Sequence, residues 1–255
     1  AFDAWRKGKE LDPWPEAAFR LWRNETVAAA IKRLVTAVRA AGATQPIFWN
    51  LNWPRMIVGQ EDVFQAVADS PVDGVSFCLY PGQQDVPHPF WANPVNLDDR
   101  NYLPFLRQNL REYDRLRWLL GKRFAAKAKA VYEFETFYTQ NSHLYPAMAA
   151  LMRALGVQLA PMWTYTLTPS AARHSGSHHL NLYCTPRKAV SFAIAAKLFH
   201  ETPRLAPYPD GDDRELVFGD RCLVSFPRDV SVWQSADTLM HSRSLAELPF
   251  NTSTK

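Results

Sequence analysis

Cysteine is scarce in this 255-residue chain: Cys78, Cys184 and Cys222 are the whole complement. Three separated thiols with no CxxC spacing build neither a disulfide framework nor a structural zinc site. Glycine-rich phosphate turns are missing, so a doubly wound nucleotide-binding sheet lacks its signature. No apolar run approaches the roughly 20 residues that a membrane helix needs, so no membrane partner is expected. Charge of one sign is lacking too: 29 basic against 25 acidic residues leave a formal charge of +4. Its arginines, such as Arg107, Arg111, Arg115 and Arg117, fall on helix faces instead of forming the contiguous stripe that nucleic acid would want. Ser170 and Ser175 have no G-x-S-x-G context, which disfavours a serine hydrolase. No signal peptide is present, but the chain opens on Ala1 without Met, and this absence carries little weight.

Aromatic residues are abundant, at 13% of the chain with nine Trp. Most belong to a core, and the rest are candidate platforms for the apolar faces of pyranose rings. The 47% apolar content is that of a globular protein, long enough for one large α/β domain or a smaller one with an appendage.

Periodicity and punctuation predict helices over 2–9 and 15–41. The second carries its apolar stripe on Phe19, Trp22, Val27, Ile31, Leu34, Val35 and Val38, and Gly42 and Pro46 end it. A β-branched and aromatic run over 47–53 follows, closed by Pro54. The unit recurs as a weak helix at 61–68 and a strand at 75–80, then a Pro-rich loop over 81–100. A helix at 102–120 leads to a strand at 130–135, and a helix at 145–155 to a strand at 157–165. A last helix spans 186–201. Short apolar strands alternating with amphipathic helices indicate a parallel sheet, because parallel strands need crossovers. Four strands are half of an eight-stranded barrel. The expected fold is therefore α/β with a parallel sheet over residues 1–205, too short in strands for a complete barrel. Residues 206–255 read as a linker and the start of a small β-rich domain, with strands near 215–217, 222–226 and 231–233.

In such barrels catalytic groups stand at the C-terminal strand ends. These ends carry Asn50, Asn52 and Trp53, then Tyr80, then Glu133 and Glu135, then Trp163 and Tyr165. Carboxylates at i and i+2 of a strand share a face, and their burial is costly unless they are used or paired. Pairing with Arg or Lys at the rim is the structural alternative to chemistry. His174, His178 and His179 have irregular spacing and no acidic or thiol complement, so they read as a solvent loop. His143 reads as an N-cap or as rim packing. Asn24-Glu25-Thr26 and Asn251-Thr252-Ser253 match a glycosylation pattern that is common by chance.

Lys129-Ala130-Val131-Tyr132-Glu133-Phe134 resembles the seventh strand of clan A glycoside hydrolases, the retaining TIM-barrel enzymes that include families 5 and 42. Pro161-Met162-Trp163-Thr164-Tyr165 resembles their eighth strand, and the segment from Asn181 to Phe192 resembles the approach to the last helix of some members. The resemblance covers about residues 1–205 and implies the fold: the C-terminal half of a (β/α)8 TIM barrel, about strands 5–8. It implies double displacement without metal or organic cofactor, on a β-linked oligo- or polysaccharide. Glu133 is then the nucleophile, and a second carboxyl group roughly 5–5.5 Å away is the acid/base. Tyr80 hydrogen-bonds the nucleophile, Trp163 forms the subsite floor, and Asn50, Trp53 and Trp91 contribute walls. Glu135 is the fallback nucleophile. The family's acid/base follows an Asn at a strand end, and Asn24-Glu25 is the one Asn-Glu pair. The alternative is that the acid/base and the first four strands precede Ala1. Two rival readings stay open: a non-catalytic carbohydrate-binding half barrel, and an unrelated TIM-barrel enzyme of phosphate-handling type. A half barrel also leaves two edges and an inner face uncovered, so instability is expected unless it meets a second copy or a missing half.

Overall fold

The computed structural model describes residues 1–8, 16–51, 61–82, 97–111, 116–136, 138–167, 169 and 180–243. Helix α1 (Phe2–Gly8) lays Phe2 against Phe19 and Trp22 of α2 (Glu16–Ala40). Gly42, at φ 90°, takes the left-handed conformation that ends α2 and turns the chain toward β1 (Phe48–Asn50). Helix α3 (Glu61–Ala68) leads to β2 (Gly74–Leu79). Helix α4 (Leu103–Arg111) and two 3-10 turns, Arg117–Leu120 and Lys122–Phe124, lead to β3 (Ala128–Phe134). The helix expected over 102–120 is therefore shorter than its apolar pattern implied. Helices α5 (Leu144–Ala154) and α6 (Pro186–Glu201) complete the helical layer.

Strands β1, β2 and β3 form a parallel sheet in chain order, with no reversal point. The sheet stays open, and no barrel closes among the described residues. The strand expected over 157–165 is instead an extended segment. It touches β3 through two parallel bridges, Ala130 with Leu159 and Phe134 with Met162. Pro161 sits between those bridges and brings no N–H, which interrupts the ladder. The peptide between Trp163 and Thr164 is cis.

Every residue of β2 is buried, so the inner face that was expected to lie open is covered at its centre. Exposure falls at the margins instead: Phe48 on β1, and Leu159, Leu167, Leu182 and Tyr183 on the far side.

Strands β4 (Glu215–Phe218), β5 (Cys222–Ser225), β6 (Val230–Gln234) and β7 (Leu239–His241) form an antiparallel meander. Its Leu216, Phe218, Cys222, Val224 and Trp233 join one core cluster with Leu151 of α5, Leu198 of α6 and Val131 of β3. The connection before it is tied down as well. Arg107, nearly buried on α4, donates to the Gly211 carbonyl at 2.8 Å and pairs with Asp213 at 2.9 Å. Pro and Asp composition reads as a linker, but a buried guanidinium demands partners, and this segment supplies them.

Candidate active site

Glu133 lies one residue before the C-terminal end of β3, half-buried and facing β2. Its Oε2 accepts a hydrogen bond from the Tyr80 hydroxyl at 2.5 Å, and the Cys78 thiol lies 4.0 Å from the same oxygen. Pairing between β2 and β3 slips here, running Phe77 with Val131 and then Cys78 with Glu133. Tyr132 is the extra residue of this bulge, a device that re-aims a side chain.

Burial, reinforced by the hydrogen bond to Glu133 and its charge, pushes the Tyr80 phenol far above its ordinary value. Tyr80 is therefore a donor, not a base, over the working pH range, and its proton goes to the carboxylate. Burial first and Glu133 second push the Cys78 thiol up to about 12. Hydrogen bonding with Glu133, then its charge, raises the exposed Tyr132 phenol as well. The Glu133 carboxylate thus raises all three neighbours, behind burial for Tyr80 and Cys78 and ahead of it for Tyr132.

The thiols provide a direct check. Cys78 and Cys222 are buried and burial raises both, whereas Cys184 is half-exposed. Thiolate is the reactive form. A thiol titration at pH 8 is expected to count one reactive group in the native chain and all three after denaturation. Three groups in the native chain would contradict this packing.

Trp163 stands beside the end of β3, its N–H bonded to the Phe134 carbonyl at 3.0 Å and its side chain 49% exposed. Tyr165 follows, 53% exposed and bridged to Leu180. The two present aromatic surface past the strand end that bears Glu133. Asn50 ends β1 and is exposed. Asn52, Trp53 and Trp91 lie outside the described residues, as do His174, His178, His179, Ser170, Ser175 and Asn251.

Two expected placements change. Glu135 does not share the surroundings of Glu133, because β3 ends at Phe134 and Glu135 lies just past that end. It is fully buried, ion-paired with Lys188 of α6, and accepts from the Tyr145 hydroxyl of α5 at 3.1 Å. Thr136 donates to it as well, at 3.2 Å. Pairing with a cation, the structural alternative, describes Glu135. Glu25 sits in the middle of α2, not at a strand end, and accepts from Trp5 Nε1 of α1 at 2.8 Å. The apolar stripe through Val27 and Ile31 extends the helix across it.

The sequence reading passed over Cys78, Tyr132, Lys188 and Asp229. Lys188 left a signal: it shares the buried stripe of α6 with Ser191, Ala195 and Leu198, where a lone cation requires an anion. His143 precedes α5 and makes no side-chain cap; its ring is buried against Phe226, and its Nδ1 lies 3.1 Å from Asp229. Among the described residues, no group of three or more His, Cys, Asp or Glu is placed to hold a metal ion. Also among them, no helix is long and apolar enough to cross a membrane.

Removing the Tyr80 hydroxyl is expected to cost Glu133 its donor with little loss of core volume. The Tyr80→Phe variant should lose about 1.5–3 kcal/mol of stability, as expected for a hydrogen bond to a charged group, read by denaturant unfolding. Unchanged stability would mean that this contact contributes nothing to the fold. Comparison of the chain with protein-family models, with curated proteins and with solved structures found no match in any of the three.

Proposed function

We propose that this chain carries the nucleophile-bearing C-terminal half of a retaining TIM-barrel glycosidase acting on β-linked sugars. The observation that carries the reading is the Glu133 carboxylate at a parallel strand end, gripped by a protonated Tyr80 at 2.5 Å. Exposed Trp163 beside that strand end supports a sugar platform. Glu133 attacks the anomeric carbon, the exocyclic C–O bond breaks, and a glycosyl ester forms. The departing oxygen takes a proton, and water then releases the sugar and restores the carboxylate. Tyr80 orients Glu133 throughout and supplies no proton to the leaving group.

Neither Glu25, mid-helix, nor Glu135, locked to Lys188, is assigned the acid/base role. That role is proposed for a carboxyl group outside the described residues. The same observation favours a second reading, a carbohydrate-binding half barrel without its own acid/base. Leaving-group dependence separates the two. A dinitrophenyl β-glycoside needs no protonation at its departing oxygen, whereas a phenyl β-glycoside does. Turnover of both supports a complete glycosidase. Turnover of the activated substrate alone supports a working nucleophile without an acid. Turnover of neither, with sugar retained on the chain, supports the binding reading.

A further inference from the structure

The segment that follows Glu133 is fastened at both ends, and the far fastening comes from the meander. At its start, Glu135 is ion-paired with Lys188 and accepts from Tyr145. At its end, Asp229 Oδ1 accepts from the Ser142 N–H at 2.7 Å, while the Ser142 hydroxyl donates to the Asp229 carbonyl at 2.6 Å. The same Oδ1 lies 3.1 Å from His143 Nδ1, and Ser242 of the meander donates to the Ser142 hydroxyl at 3.0 Å. Asp229 belongs to the β5–β6 turn and holds φ at 43°, a left-handed conformation that Asp and Asn tolerate better than other side chains. Arg187 reaches Asp229 Oδ2 at 3.6 Å, and the next residue, Lys188, holds Glu135. The first turn of α6 thus touches both fastenings.

We infer that Asp229 is a positioning residue for Glu133, acting through the 135–143 segment, which makes the antiparallel meander a working part of the candidate active site. This rests on Glu133 being the nucleophile. A carboxylate nucleophile must meet the anomeric carbon within a few tenths of an ångström, and such precision comes from the shell behind it. Backbone of β3 transmits the constraint, because Glu135 is two residues from Glu133 and Ser142 is tied to a separate sheet. The carboxylate contact with the Ser142 N–H depends on this side chain, whereas the contact of the Ser142 hydroxyl is with the Asp229 backbone carbonyl.

The test compares wild-type chain with Asp229→Ala and Asp229→Asn by hydrogen exchange and by kinetics on whichever aryl β-glycoside the wild type turns over. In Asp229→Ala, peptides over 135–143 are expected to exchange about tenfold faster or more, with β2 at wild-type rates and the β5–β6 turn loosened by an alanine at positive φ. Its kcat is expected to fall about tenfold or more while KM stays within about twofold. Asp229→Asn keeps an Oδ1 acceptor for the Ser142 N–H and tolerates the left-handed turn, so it should restore most of both. Unchanged exchange over 135–143 would overturn the inference. So would faster exchange spread uniformly over the chain, or a loosened segment with undiminished kcat. Absence of turnover in the wild type would count against the glycosidase reading alone, since the exchange pattern decides separately whether Asp229 fixes the segment.

Discussion

Replacing Glu133 by Gln is expected to lower kcat on a dinitrophenyl β-glycoside by about 10,000-fold or more, the scale on which removal of a covalent nucleophile is felt. Stability should barely change, because Gln is isosteric and its carbonyl oxygen still accepts from the Tyr80 hydroxyl. The loss is therefore chemical: an amide oxygen does not displace a leaving group to give a stable glycosyl ester. Glu135→Gln provides the contrast. Glu135 is buried against α5 and α6, so its loss should be read in melting temperature before it is read in kcat. Equal kcat losses in the two variants, with both chains folded, would break the assignment of separate roles.

The second large effect belongs to that buried pair. Lys188 and Glu135 are 1% and 0% exposed in their side chains, and the ion pair joins α6 to the segment after β3. Removing one partner strands an uncompensated charge, so Lys188→Met is expected to cost about 3–5 kcal/mol. In a chain of this size that corresponds to a fall in Tm of roughly 6–20 °C. Removing both charges, as in Lys188→Met with Glu135→Gln, should recover most of the loss, because Gln still accepts from Tyr145 and Thr136. Thermal melts of the wild type and these variants decide it. A single variant melting within about 2 °C of wild type would mean that the pair is more solvated than its burial implies.

Much of the scaffold was legible because its signals were local. Apolar periodicity marked α2, α5 and α6, and short apolar runs marked β2 and β3. Helix-strand alternation marked the parallel pairing that β1, β2 and β3 adopt. Tyr80 and Glu133 meet across neighbouring strands because both stand near the same ends. The failures share another cause. Alternation holds only while the strand lasts, and β3 ends at Phe134, so Glu135 departs from the surroundings of Glu133. Pro161 interrupts a run whose composition is strand-like throughout. The Asn-Glu pair at 24–25 matched a motif in letters but fell on a helix. Asp229 lies 87 residues from Ser142, and no spacing rule announces a contact at that range.

Trapping decides whether Glu133 forms a bond to the sugar. A 2-deoxy-2-fluoro β-glycoside with a dinitrophenyl leaving group slows release of a glycosyl ester more than its formation, and peptide mass spectrometry then locates the sugar. A single fluorosugar adduct on Glu133, absent from the Glu133→Gln variant, is the expected result. An adduct on a different carboxylate, or steady turnover of the unmodified glycoside with no adduct at all, would contradict it.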